Sequence, residues 1–208
     1  MNKIVKDALV LTLITLIAGV ALGAVYQITK GPIAKAEEEA TQKAYKEVFE
    51  TADSFKELDN FDADKANEVI AAKGYTDGTV TTCEIVDCHK ALDASGNLLG
   101  YVVTMKSKAG YGGDLIFSMG VTTDGTLNGY SITTIDETPG LGMKATEDKF
   151  KDQFKGIKAT TLEVSKTASN DDSTIQAISG ATITSKAITY AVDAGLVYVN
   201  SLTTGGAA

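Results

Sequence analysis

The alternation of apolar and polar positions divides the chain into three textures. The first is an uncharged run over residues 8–29, about 22 residues that span roughly 33 Å as a helix, the thickness of a bilayer hydrocarbon core. It predicts one transmembrane helix. Pro32 then stands where the first residue of a second helix belongs, and Ile33, Ala36, Ala40, Ala44, Val48 and Phe49 recur at helical spacing up to Glu50. Glu37, Glu38, Glu39, Lys43 and Lys46 occupy its other face, which suits either a solvated spacer above a membrane or a docking face for a membrane partner. Residues 53–74 read as a polar loop followed by a short helix over residues 66–72.

From Thr79 the pattern becomes short apolar runs at 80–92, 98–105, 115–121 and 127–135, separated by turn residues such as Ser95-Gly96-Asn97 and Thr123-Asp124-Gly125. This is the pattern of an antiparallel meander. Phe150 and Phe154 mark a helix over 145–155, and a further strand is expected at 161–164. Ile188, Val192, Leu196, Val199 and Leu202 share one face of a closing helix over 185–202. The expected fold class is α+β, an N-terminal transmembrane helix followed by an external domain with a meander and flanking helices. The expected divisions are residues 1–30, 31–78 and 79–208.

Charge and composition narrow the function. All 19 basic residues are Lys, against 27 acidic ones, for a net charge of -8, which argues against a nucleic-acid partner. Two Cys and one His cannot assemble the four-ligand sets of structural zinc or iron-sulfur sites. His89 has no nucleophile signature beside it, which argues against a serine hydrolase. Lys3 and Lys6 precede the apolar run and an acidic chain follows it, so the positive-inside rule places the N-terminus in the cytoplasm and the domain outside, single-pass in the cell membrane. A cleaved signal peptide is the competing reading, because Ala21-Leu22-Gly23 has the small residues that a signal peptidase accepts. Cys83 and Cys88 lie five apart, positions that face opposite ways in a straight strand, so a bridge would need a bend. Buried thiols, a disulfide and a redox or metal role with His89 all stay open.

Three small-residue segments interrupt the regular pattern. Two are glycine-rich loops, Gly110-Tyr111-Gly112-Gly113 and Glu137-Thr138-Pro139-Gly140-Leu141-Gly142, neither matching a dinucleotide or Walker fingerprint. The third is Ile178-Ser179-Gly180-Ala181-Thr182-Ile183-Thr184-Ser185, a hydroxyl-bearing turn ahead of the last helix. Gly180 and Ala181 leave room for a large ligand, and a phosphate there would meet unpaired N–H groups at a helix start. Thr182, Thr184 and Ser185 acting simply as helix N-caps is the plainer alternative.

Together with the anchor and the meander, these ordered segments resemble the FMN-binding domain of RnfG, the G subunit of the Rnf electron-transport complex, a family shared with NqrC, the C subunit of the sodium-translocating NADH:quinone oxidoreductase. The Rnf protein is the better match. The resemblance implies covalent FMN, joined by a phosphoester to Thr182 by an exported flavin transferase, with Ser179, Gly180, Ala181, Thr184 and Ser185 around the attachment point. It further implies Glu137, Thr138, Leu141, Gly142 and Tyr111 near the flavin ring. Other integral membrane and redox subunits of the complex are the implied partners, with ferredoxin:NAD electron transfer coupled to sodium or proton movement and no complete reaction in this chain alone. One departure is Gln176, where the family often has Asp. A freestanding extracellular FMN carrier, a pilin-like protein and a non-redox binding module are the alternatives. The absence of an acid between residues 8 and 29 argues against the pilin.

Overall fold

The computed structural model describes residues 3–75, 82–158, 161–169 and 171–204. The expected boundary at 78/79 and the first residues of the strand expected from 80 lie outside them. The chain forms two units, one up to Ala40 and one from Thr41.

A single helix, α1 (Lys3–Val48), carries the apolar run and is long and apolar enough to cross a membrane. Pro32 lies inside it and does not begin a second helix. One proline removes one backbone bond and crowds one carbonyl, at about 3 kcal/mol. Strong helix formers follow it, Ala34, Lys35, Ala36 and Glu37 to Glu39, and cooperative propagation from the long helix on either side carries the backbone through Gly31 and Pro32. Of the apolar positions expected on the spacer face, Ile33 is exposed, and burial begins at Ala44, Tyr45 and Val48 in the second unit.

The second unit is built on an antiparallel sheet in the order β1 (Ser54–Glu57), β2 (Cys83–Leu92), β3 (Leu98–Ser107), β4 (Leu115–Thr122) and β5 (Leu127–Thr134). The meander over β2 to β5 follows the sequence reading. β1 corrects it: Ser-Phe-Lys-Glu has too little alternation to signal a strand, and pairing with β2, Phe55 opposite Ala91, creates it. Helix α2 (Ala63–Ala71) is capped by Asp62, whose carboxylate accepts from the N–H groups of Asp64 and Lys65 at 3.1 and 3.3 Å.

A β-bulge between Ile85 and Asp87 shifts the register of β2 by one, so Cys83, Ile85 and Cys88 all face the core. The bulge overrides the parity argument for the cysteines, and both are buried free thiols. Burial, ahead of neighbouring acids, pushes each thiol up to about 12. The Asn67 side chain closes the ladder at the bulge, accepting from Ile85 N–H at 2.8 Å and donating to its carbonyl at 3.0 Å.

Past β5, the helix expected over 145–155 is instead a 3-10 turn (Gly142–Thr146), one turn of α3 (Asp148–Lys151) and another 3-10 turn (Asp152–Phe154). Phe150 and Phe154 are nonetheless buried and in edge contact. β6 (Glu163–Ser165) pairs in parallel with β7 (Thr174–Gln176), a strand with no local signature in its polar surroundings. The closing helix α4 (Thr182–Thr204) packs Ala187, Ile188, Ala191, Val192 and Val199 into the main core with Ile85, Met105, Phe117 and Met119. Within that core Asp193 accepts from Tyr75 OH and, at 3.2 Å, from Leu162 N–H.

The other face of the sheet is covered by the end of α1, where Tyr45, Val48 and Phe49 pack with Ala91 and Val102. Tyr45 OH lies 3.3 Å from both His89 Nδ1 and Thr104 Oγ1. Glu47 accepts from Ser131 Oγ at 2.7 Å and pairs with Lys151. Burial works to raise this carboxyl, but Lys151 and Ser131 outweigh it and hold Glu47 below its ordinary range.

Candidate functional site

The two glycine-rich loops and the start of α4 converge on a cavity of about 560 Å3, lined by Tyr111, Glu137, Thr138, Leu141, Gly142, Gly180, Ala181, Thr182, Ile183 and Thr184. Segments far apart in the sequence meet here because two contacts draw them together. Glu137 is buried, and its Oε1 accepts from Tyr111 N–H at 2.8 Å and Gly112 N–H at 3.4 Å, tying one loop to the other. At Gly142 an added Cβ would lie 2.8 Å from both Glu137 Cβ and Thr184 Oγ1, so only glycine lets the second loop approach α4 this closely.

The helix start is shaped by a turn. Ala181 N–H donates to the Ile178 carbonyl at 3.0 Å, and Gly180, third in that turn, has φ +80°, a conformation that disfavours any side chain. The chain passes directly from the turn into α4, so the helix begins at Thr182, three residues earlier than the periodicity predicts. Thr184 and Ser185 therefore lie inside the first turn and are not N-caps. Ser185 is buried behind the cavity, where its hydroxyl accepts from Ile178 N–H and donates to the Ala181 carbonyl, both at 2.9 Å.

Ser185 N–H bonded to the Ala181 carbonyl, at 3.0 Å, is the first intrahelical bond. Among the described residues, the N–H groups of Thr182, Ile183 and Thr184 have no acceptor and the Thr182 hydroxyl has no hydrogen bond. Unpaired donors at the positive end of a 23-residue helix with no acid in its first turn make a suitable seat for an anionic group.

Ser179 does not line this cavity. It borders a neighbouring cleft of about 330 Å3 with Gln153, Gln176 and Ile178. Ile183, which sequence reading did not single out, is half exposed on the cavity wall; an apolar residue among hydroxyls at a helix start was its only signal. Tyr111 and Leu141 are the other exposed apolar groups on this wall. Cys83, Cys88 and His89 do not line the cavity, and the described residues contain no cluster of metal-ligating side chains.

The cavity falls within the range of about 300–1,000 Å3 usual for small-molecule and cofactor sites, which are mostly apolar with a few convergent polar groups. Its apolar groups suit a planar ring and its helix start suits a phosphate, so the residues present fit a flavin mononucleotide.

Comparison with known proteins agrees. Residues 110–197 match the FMN-binding domain family and residues 1–48 match the RnfG N-terminal region. The G subunit of the proton-translocating ferredoxin:NAD(+) oxidoreductase complex of Clostridium ljungdahlii is 38% identical over 195 residues, covering 94% of this chain and 91% of that protein. The G subunit of the Na(+)-translocating ferredoxin:NAD(+) oxidoreductase complex of Acetobacterium woodii is 32% identical over 199 residues, with coverage of 94% and 91%. The G subunit of the ion-translocating oxidoreductase complex of Methanosarcina acetivorans is 28% identical over 201 residues, with 96% of each chain covered. With matches that run from the apolar helix through the cavity-lining loops into α4, the chain belongs to the RnfG family, the G subunits of Rnf complexes.

Proposed function

We propose that this chain is the membrane-anchored flavoprotein electron-transfer subunit of a ferredoxin:NAD oxidoreductase complex, and that it carries its FMN covalently on Thr182. The observation that carries the covalent reading is the Thr182 hydroxyl, without a hydrogen bond among the described residues, at the first position of α4 on the wall of the cavity. The relatives' names describe subunits of such complexes, so other integral and redox subunits are the partners, and the chain performs no complete reaction alone. An apolar anchor over residues 1–30 with Lys3 and Lys6 at its start supports a cytoplasmic N-terminus and an external flavin domain within residues 79–208.

Bound FMN supplies one- and two-electron transfer, while the protein supplies position and electrostatics. The N–H groups of Thr182, Ile183 and Thr184 would hold the phosphate, and Tyr111, Leu141 and Ile183 would offer apolar surface to the ring. Glu137 orders both loops without being consumed. Attachment forms a bond between Thr182 Oγ1 and phosphorus and breaks the phosphoanhydride of a flavin dinucleotide donor. The nucleoside monophosphate leaves with the electron pair and the hydroxyl proton passes to solvent, so no electrons change hands.

The test is the full chain made with an exported flavin transferase. Wild type is expected to gain the mass of FMN less one water and to fluoresce in a denaturing gel, and Thr182→Ala to fold but stay dark. A labelled Thr182→Ala protein would move the attachment point elsewhere.

A further inference from the structure

We infer that Gln153 and Ser185 are positioning residues for flavin attachment, holding the 178–181 turn from two sides so that Thr182 presents its hydroxyl at the cavity. This rests on the reading of Thr182 as the acceptor. Neither residue touches the cavity.

Ser185 acts from the helix side. Its hydroxyl bridges the first and last residues of the turn, accepting from Ile178 N–H and donating to the Ala181 carbonyl. It is fully buried, so water does not replace it there. Gln153 acts from the strand side. β7 leads into the turn and is bonded to β6 along one edge, where Ala177 N–H also donates to the Ser165 carbonyl at 2.8 Å. Along the opposite edge the Gln153 side-chain amide takes the place of a strand, accepting from Gln176 N–H at 2.8 Å and donating to the Gln176 carbonyl at 3.3 Å. Beyond that amide lies the open cleft bordered by Ile178 and Ser179, and among the described residues the Gln153 amide is the hydrogen-bond partner of Gln176 along this edge. The same two-point amide clamp closes β2 at Asn67, where the ladder is also interrupted.

Both clamps act within a few residues of Thr182, and each fixes backbone on which the direction of its side chain depends. A displacement of about 1 Å of a reacting group is enough to slow a reaction severely. With one clamp removed the turn samples other arrangements, and the hydroxyl reaches the flavin phosphorus less often. The outcome is slower attachment with an unchanged final mass.

The experiment follows covalent flavin gain by in-gel fluorescence and intact mass, using the detergent-solubilised full chain, flavin adenine dinucleotide and limiting flavin transferase. The temperature is set well below the melting point of every variant. Gln153 is half-buried on the surface, so Gln153→Ala is expected to fold normally. The loss of one to two hydrogen bonds predicts attachment about 3- to 10-fold slower. Gln153→Glu keeps the acceptor for Gln176 N–H and is expected to recover part of the rate, which a general loss of stability does not predict. Ser185→Ala is expected to be slower still, and if it unfolds the Gln153 pair decides. Wild-type attachment rates in folded Gln153→Ala and Ser185→Ala, with Thr182→Ala dark, would overturn the positioning role while leaving the acceptor intact. Label on Thr182→Ala would instead overturn the acceptor itself.

Discussion

Replacing Glu137 by Ala tests whether one buried carboxylate holds the cavity together. Its Oε1 accepts one well-formed bond from Tyr111 N–H at 2.8 Å and a long one from Gly112 N–H at 3.4 Å. Hydrogen bonds to charged groups contribute about 1.5–3 kcal/mol, and the longer bond here belongs at or below the lower end. Truncation also removes the cost of burying the carboxylate, so the net loss should be about 2 kcal/mol. For a domain of this size about 2–4 °C accompanies each kcal/mol, which predicts a melting temperature lower by about 4–8 °C. The loss is local, so amide exchange is the sharper assay. Protection at Tyr111 and Gly112 should fall by about tenfold or more in Glu137→Ala, each 1.4 kcal/mol being a factor of about ten, while the β3 and β4 amides keep theirs. Glu137→Gln, which retains one acceptor oxygen, should fall between. Wild-type exchange at Tyr111 in the alanine variant would refute the idea that Glu137 joins the loops.

Two further predictions concern buried groups outside the cavity. Burial lifts the Asp193 carboxyl above its ordinary range, against the hydrogen bonds from Tyr75 and Leu162. The native state therefore holds this proton more tightly than the unfolded chain, and the stability from this group, full below 3.8, is lost as pH rises through the raised value. Asp193→Asn should flatten that decline in denaturant titrations run across the acidic range, and a wild-type slope in the variant would sink the assignment. With both thiols pushed up to about 12 and fully buried, Cys83 and Cys88 should resist alkylation at about pH 8 in the native protein and react together once denaturant is added. Fast native labelling of either one would contradict its burial.

The sequence by itself carried the apolar anchor, the four meander strands, the closing helix and the small-residue segments that line the cavity, because each is a local pattern: hydropathy over one bilayer thickness, alternation along a strand, spacing on a helix face. Whatever depended on a partner distant in the chain was not legible. β1 exists because β2 offers it an edge, and β7 because β6 does the same. The cysteines share the core face because a bulge resets the register of β2, which no local residue type announces. Pro32 looked like a beginning because a proline fits a first helical turn, yet its neighbours continue the helix across it. Within the site, the motifs named the residues while tertiary structure assigned the work. Glu137 joins two loops, Gly142 admits α4, and Ser185 closes a turn where a cap was the plainer sequence reading. Gln153 gave no signal at all, since an amide that substitutes for a missing strand is defined by the edge it satisfies and not by anything in its own neighbourhood of the sequence.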